Sequence, residues 1–351
     1  MMSKYYSDIL KDLSPYTPGE QLNDKKYIKL NTNENPYPPS DKVITTIKEY
    51  SGGDLRLYPD PESLELRKVL ASHHGVDIDN VFVSNGSDET LAFAFNAFYT
   101  GKKIAYPKVT YSFYPVYAKL YNCQVDELDM LDDYEIDKKA LMEKKVGLVI
   151  ANPNAPTGEL LDKDYLLALL ENNSNSLILI DEAYMDFSQE ESMAKYIKEY
   201  KNLLVVRTFS KSYSLAGMRI GYAVGDKELI FGLNLVKNSF NSYPLDRLAQ
   251  VAGIQAIKDQ AYYDALNKEI ISTREYTKKA LEELGCKVLP SASNFLFVKF
   301  KDLASFKVYE DFKKEGILIR QFSYISDYVR ITIGKKEDME ALIEVAKEIL
   351  R

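Results

Sequence analysis

Three observations predict an α/β fold: a large domain with a mostly parallel sheet flanked by helices, joined to a small α+β domain. First, the uninterrupted apolar runs Val146-Gly147-Leu148-Val149-Ile150-Ala151 and Leu177-Ile178-Leu179-Ile180 have the composition of strands buried on both faces of a parallel sheet. Second, strand and helix signals alternate through the first two thirds of the chain. Third, the pattern turns helical from about Asp226 to Glu283, after which strands and helices alternate again in a shorter unit. We expect an arm with part of the small domain over residues 1–35, the large domain over 36–245, and a linking helix with the small domain over 246–351.

The 351 residues are 46% hydrophobic, enough for one large or two medium cores. A net charge of -7, with cations and anions interspersed, argues against a nucleic-acid surface. Cys123 and Cys286 are the only cysteines, which predicts neither a disulfide framework nor a metal site. His73 and His74 close a helical pattern and are expected on the surface. Met1 to Asp8 hold no apolar leader segment, and no later run is long enough to span a bilayer, so a cytoplasmic protein is expected.

The polar arm contains the turn-rich Leu13 to Gly19, including Tyr16, then a strand signal at Tyr27 to Leu30. Asn31 to Pro39, which includes Asn33, is too rich in proline and asparagine for helix or central strand and reads as an ordered loop. Tyr58 precedes a helix expected from about Glu62 to His74, with Pro61 in its first turn. Val81 to Thr90 reads as strand, glycine turn and helix, capped by Ser87 or Asp88. Unpaired N–H groups there could cradle a phosphate at Gly86, Ser87 and Asp88, although Asp88 could equally serve the helix dipole. A strand near Lys103 to Tyr106 is followed by a helix opening at Pro107, with Tyr111 near its start.

The Val146 run ends in Asn152-Pro153-Asn154-Ala155-Pro156-Thr157-Gly158, and the Leu177 run ends in Asp181. A carboxylate at the C-terminal end of a buried strand lies where open α/β sheets bind ligands, unless it only caps the next segment. The interval to Lys211, 211 - 181 = 30 residues, leaves room for a crossover helix and another strand. Further on, Tyr243-Pro244 is expected to start a long helix that breaks near Asp259-Gln260. In the small domain Arg330 sits inside an apolar alternating strand, where an arginine needs an anion, either a structural carboxylate or a ligand.

The stretch Val205 to Gly221 passes from a buried strand into small polar residues around Lys211 and out into a second strand from Met218. Its backbone is thereby pulled inward, and the lysine either lines a site or snorkels out of a loop. A second cation on the same segment, Arg219, beside a partly desolvated ammonium favours the neutral amine that a nucleophile requires.

Ser210-Lys211 followed by Ala216-Gly217-Met218-Arg219-Ile220-Gly221 resembles the cofactor-lysine signature of the fold-type I, class I/II aminotransferases, which use pyridoxal 5'-phosphate. The resemblance runs from Asn31 to Gly334. It implies that Lys211 joins the cofactor aldehyde, that Ser210 and Arg219 hold its phosphate, and that Tyr111 stacks on its ring. Asp181 would hold the ring nitrogen and Tyr184 the phenolic oxygen, while Tyr58 would reach the phosphate of a partner subunit in a homodimer. Relatives usually carry asparagine directly before Pro-Thr-Gly; Ala155 occupies that slot, leaving its phenolic contact to Asn154, to a water, or unmade.

The Asn-Glu-Asn-Pro loop is similar to that of the histidinol-phosphate aminotransferases, which implies L-histidinol phosphate and glutamate or 2-oxoglutarate as substrates. Tyr16, Asn33, Arg320 and Arg330 would then surround the substrate. Aromatic amino-acid aminotransferases and threonine-phosphate decarboxylases share the signature. A non-catalytic regulator on the same fold would carry a DNA-binding domain for which the arm is too short.

Overall fold

Twelve strands organise the described residues: β1 (Ile28–Lys29), β2 (Val81–Asn85), β3 (Lys103–Pro107), β4 (Gln124–Leu128), β5 (Gly147–Ala151), β6 (Ile178–Asp181), β7 (Leu203–Thr208), β8 (Ile220–Gly225), β9 (Lys287–Val288), β10 (Phe295–Lys299), β11 (Ile317–Leu318) and β12 (Val329–Thr332). The computed structural model describes residues 4–11, 13–22, 24, 26–50 and 52–351. The first three residues of the expected arm and leader-free terminus lie outside them, as do Asp12, Asn23, Lys25 and Ser51. Strands β2 to β8 form one sheet in the order β2-β8-β7-β6-β5-β3-β4. Only β8 runs antiparallel to its neighbours in this sheet.

The apolar runs lack polar alternation because both faces are covered. Leu148, Ile150, Ile178 and Ile180 pack into one cluster with Leu166, Leu169 and Leu170 of the helix Lys163–Asn172 and the small domain. Val149, Ala151 and Leu179 point the other way, onto helices Ser87–Ala94, Tyr114–Leu120 and Lys227–Phe240. No helix among the described residues is long and apolar enough to cross a membrane.

The small unit pairs β12, β10 and β9 antiparallel, and β1 joins β11 in parallel. The N-terminal segment is thus laid against the C-terminal one. Thr332 donates its backbone N–H to Leu30 at 3.0 Å, and its hydroxyl exchanges hydrogen bonds with the Asn33 backbone and side chain, 299 positions away.

Several local expectations are corrected. Strand β4 has no apolar run; Gln124-Val125-Asp126-Glu127 is an exposed edge that the backbone ladder to β3 holds in place. The first helix after Tyr58 starts at Leu64, beyond Pro61, because the Asp60 carboxylate binds the Glu62 and Leu64 N–H groups in a turn. The helix of Tyr111 begins only at Tyr114, and the one expected at Tyr243-Pro244 begins at Arg247 under an Asp246 cap. No α-helix crosses between β6 and β7; the short 3-10 turns Met185–Phe187 and Met193–Tyr196 make the connection, anchored by buried Glu182. His74 is half-buried, with Nε2 3.0 Å from the Tyr222 hydroxyl, and burial holds its proton affinity well below the ordinary value.

Candidate active site

Strands β5, β6 and β7 end together at Ala151, Asp181 and Thr208, and β8 begins beside them, so one edge of the sheet gathers four chain turns. A cavity of about 370 Å³ opens there. Of the residues singled out from the sequence, Tyr16, Asn33, Ser87, Asp88, Tyr111, Asp181, Tyr184, Ser210, Lys211, Arg219 and Arg330 line it. Gly86 lies directly behind the lining, whereas Asn154, Arg320 and Tyr58 are not part of it.

Asp181 is 5% exposed; Oδ2 accepts from the Tyr114 hydroxyl at 2.9 Å and Oδ1 from the Ala183 N–H at 3.2 Å. Neither partner carries charge, and burial pushes the carboxyl up to about 7 from an ordinary 3.8. Such a group lacks only a cation. The folded chain holds this proton more tightly than the unfolded chain, so Asp181's contribution to stability falls as pH rises from 3.8 toward about 7. We predict that the cofactor-free protein loses stability across this interval and that Asp181→Asn flattens the slope. Urea unfolding at several pH values checks this; an unchanged slope would show that Asp181 is ionised throughout.

Lys211 hangs in the β7–β8 connection, as its flanking strand signals require. Its amine lies 3.4 Å from the Thr32 carbonyl and 5.7 Å from the centre of the Tyr184 ring. The Tyr184 hydroxyl accepts from Asn33 Nδ2 at 2.9 Å, which leaves its own proton free to donate. Asn35 Nδ2 donates to the Lys211 carbonyl at 3.0 Å, so the same loop grips both elements.

The helix Ser87–Ala94 is capped by Gly86, which has no side chain to satisfy the first N–H groups; this corrects the expectation of a Ser87 or Asp88 cap. The Asp88 carboxylate instead accepts from the Tyr111 hydroxyl at 2.7 Å and meets Arg219 Nη2 at 3.4 Å. Arg219 thus turns toward Asp88, and it lines the same cavity as Lys211. Two glycines permit this arrangement. A Cβ on Gly86 (φ +82) would sit 2.5 Å from Arg219 Nη2, and one on Gly221 would sit 2.2 Å from the Gly86 carbonyl carbon. Ser210 is buried, with its hydroxyl 3.0 Å from that of Thr208.

Arg330 places its guanidinium over the rings of Phe295 and Phe322, at 5.2 and 5.5 Å. Its Nη2 donates to the Asn31 carbonyl at 3.2 Å, its Nε has no partner, and among the described residues no carboxylate pairs with it. Burial pulls its proton affinity below the ordinary arginine range. Arg320 is bridged backbone to backbone with Arg330 and stacks on Phe322 as well, but its Nη2 donates to Thr17 at 2.8 Å, next to Tyr16.

Asn154 does not turn toward the cavity. Its amide donates to the Val109 carbonyl and Thr157 hydroxyl and accepts from the Thr110 hydroxyl, so its polar atoms are engaged in shaping the loop. Ala155 lines the cavity in its place. Tyr58 is 77% exposed and stacks on Tyr243 at 4.6 Å. Tyr114 escaped the sequence reading; its one signal was a second tyrosine in the aromatic stretch that starts at Tyr111.

A buried carboxylate without a cation, an amine held by one long contact, uncapped helix N–H groups beside an arginine, and a separate desolvated guanidinium suit a flat, phosphorylated aldehyde with a basic ring nitrogen, such as pyridoxal 5'-phosphate. This arrangement defines an aminotransferase that depends on that cofactor. The chain belongs to the aminotransferase class I and II family, whose pattern matches residues 25–345. It is 49% identical over 354 residues to a histidinol-phosphate aminotransferase of Brachyspira hyodysenteriae, with 100% of both chains covered. It is 47% identical over 352 residues to that of Clostridium beijerinckii, covering 99% of this chain and 98% of the relative. The solved histidinol-phosphate aminotransferase of Sinorhizobium meliloti, in complex with pyridoxal-5'-phosphate, superposes with a TM-score of 0.88 at 23% identity, covering 100% of this chain and 98% of the other.

Proposed function

We infer that this chain exchanges an amino group between L-histidinol phosphate and 2-oxoglutarate, a step of histidine biosynthesis. The observation that carries this reading is Arg330, a guanidinium with no carboxylate partner among the described residues, which lines the same cavity as Asp181 and Lys211. Near-full-length identity to enzymes of that name supports it.

Pyridoxal 5'-phosphate, when bound, supplies an aldehyde for the amine and a protonated ring that draws electrons from the substrate Cα. Lys211 would hold that aldehyde, and its amine would move the proton at the substrate Cα as base and then acid. Asp181 would hold the ring nitrogen, and Tyr184, oriented by Asn33, would donate to the phenolic oxygen. With Ala155 apolar, we assign that contact to Tyr184 alone. Ser210, Arg219 and the N–H groups of Ser87 and Asp88, opened by Gly86, would hold the phosphate, while Tyr111, tied to Asp88, would cover the ring face. Arg330 takes the substrate anion, with Tyr16 beside it and Arg320 holding the arm. The test is exchange with L-histidinol phosphate measured against phenylalanine and threonine phosphate; preference for either of the latter would overturn the reading.

We propose a homodimer, with Tyr58 completing the partner's phosphate site. Its exposure and its neighbours Leu55, Leu57, Tyr243 and, on helix Lys227–Phe240, the exposed Phe231, Leu235 and Phe240 support this. Mixing impaired Tyr58→Phe with inactive Lys211→Ala chains is expected to restore activity to about a quarter of wild type, since half the pairs carry one intact site. No recovery despite proven subunit exchange would place each site within one chain. We also propose the cytoplasm, supported by the free Cys123 and Cys286, whose thiols burial pushes up to about 11 and about 12. The division at residues 35 and 245 remains part of this proposal.

A further inference from the structure

We propose that Arg207 is a positioning residue that sets Lys211 relative to Asp181, through one buried chain of charge-assisted hydrogen bonds. This rests on the reading that Lys211 carries the cofactor. Arg207 lies on β7 and is 4% exposed. Its Nη1 donates to Glu182 Oε2 at 3.0 Å and its Nη2 to Asp186 Oδ1. Glu182 is the chain neighbour of Asp181, and Asp186 follows Tyr184 by two residues. The other oxygen of Asp186 accepts from the hydroxyl of Ser212, the chain neighbour of Lys211. One planar fork thus joins the backbone next to Asp181, the turn after Tyr184 and the loop of the lysine.

The remaining bonds stiffen both ends. Glu182 also accepts from the Met193 N–H at 2.7 Å and from the Ser192 hydroxyl, and Asn35 holds the Lys211 carbonyl from the opposite side. Lys211 itself has little that fixes its amine, so its place follows from its backbone. Two carboxylates gathered on a buried cation are a poor way to gain stability, because apolar side chains of similar volume pack there at least as well. They are a good way to fix geometry, since guanidinium donors are rigidly spaced where an ammonium is a single point. Reaction rates are sensitive to this: a displacement of about 1 Å at a reacting group costs roughly a hundredfold.

The test uses Ser212→Ala, which removes the last link while Asp186 stays paired with Arg207, and Arg207→Lys, which keeps the charge but not the fork. Borohydride labelling of wild type comes first; a label on a lysine other than Lys211 overturns the reading beneath the proposal. Given a label on Lys211, hydrogen exchange in the cofactor-free chain is expected to quicken about tenfold at the Ser214 and Leu215 amides in Ser212→Ala, with β7 unaffected. In the loaded enzyme kcat should fall by about tenfold or more with KM nearly unchanged, and Arg207→Lys, where it folds, should fall further. Unchanged exchange and kcat in Ser212→Ala, or a loss of melting temperature with kcat per folded molecule intact, would overturn the proposal.

Discussion

Lys211→Ala is expected to fold normally and to lose turnover by a factor of about 10⁴ or more, the upper range for removal of a group that acts as both base and acid. The side chain is only partly buried and its amine makes one long contact, so little of the fold depends on it. It is the one lysine among the residues lining the cavity, so no second amine stands ready to replace it. Single-turnover rates for each half-reaction, with borohydride labelling, check this. Turnover within tenfold of wild type would mean that the proton is moved by another group, and Tyr184 would be the first to examine.

Arg330→Met should separate activity from stability. The guanidinium is desolvated, its Nε is unpartnered, and two aromatic rings that tolerate a methionine face it. Replacing it by an apolar chain of similar length should leave the melting temperature equal or higher, since a partly buried charge without a carboxylate partner among the described residues is removed. Both half-reactions should nonetheless slow by about 2 to 5 kcal/mol in barrier, the usual cost of deleting one partner of a desolvated charge pair. Single-turnover assays with L-histidinol phosphate and with glutamate decide the matter. An unaffected rate with either substrate would assign that anion to another group, with Arg320 the nearest cation.

Most of the sheet was legible because buried parallel strands must be apolar on both faces, as Val149 and Ile150 are on opposite sides of β5. Strand β4 was not, since an edge is held by backbone bonds that leave no trace in Gln124-Val125-Asp126-Glu127. In the site, Asp181 and Lys211 could be found from their positions at strand ends, and Arg330 from its conflict with an apolar strand. Asn154 misled because chain position does not say which way an amide turns; Thr110 and Val109, more than forty residues away, decide that. Arg207 and Tyr114 were missed for the same reason. Their partners, Glu182 and Asp181, lie on different segments, and no local pattern announces the meeting.

The bond between Thr332 and Asn33 ties the seating of an early loop to a strand translated 299 positions later. The loop that orients Tyr184 and grips Lys211 is translated before the sheet, yet the strand on which it rests is translated after it. A nascent chain can build the seven-stranded sheet, with Asp181 and Lys211 at its edge, long before β12 exists to bring Arg330 and seat Asn33. Loops closed over so many residues are slow to form. The sheet edge that holds Asp181 and Lys211 is thus complete in sequence before the strand that carries Arg330.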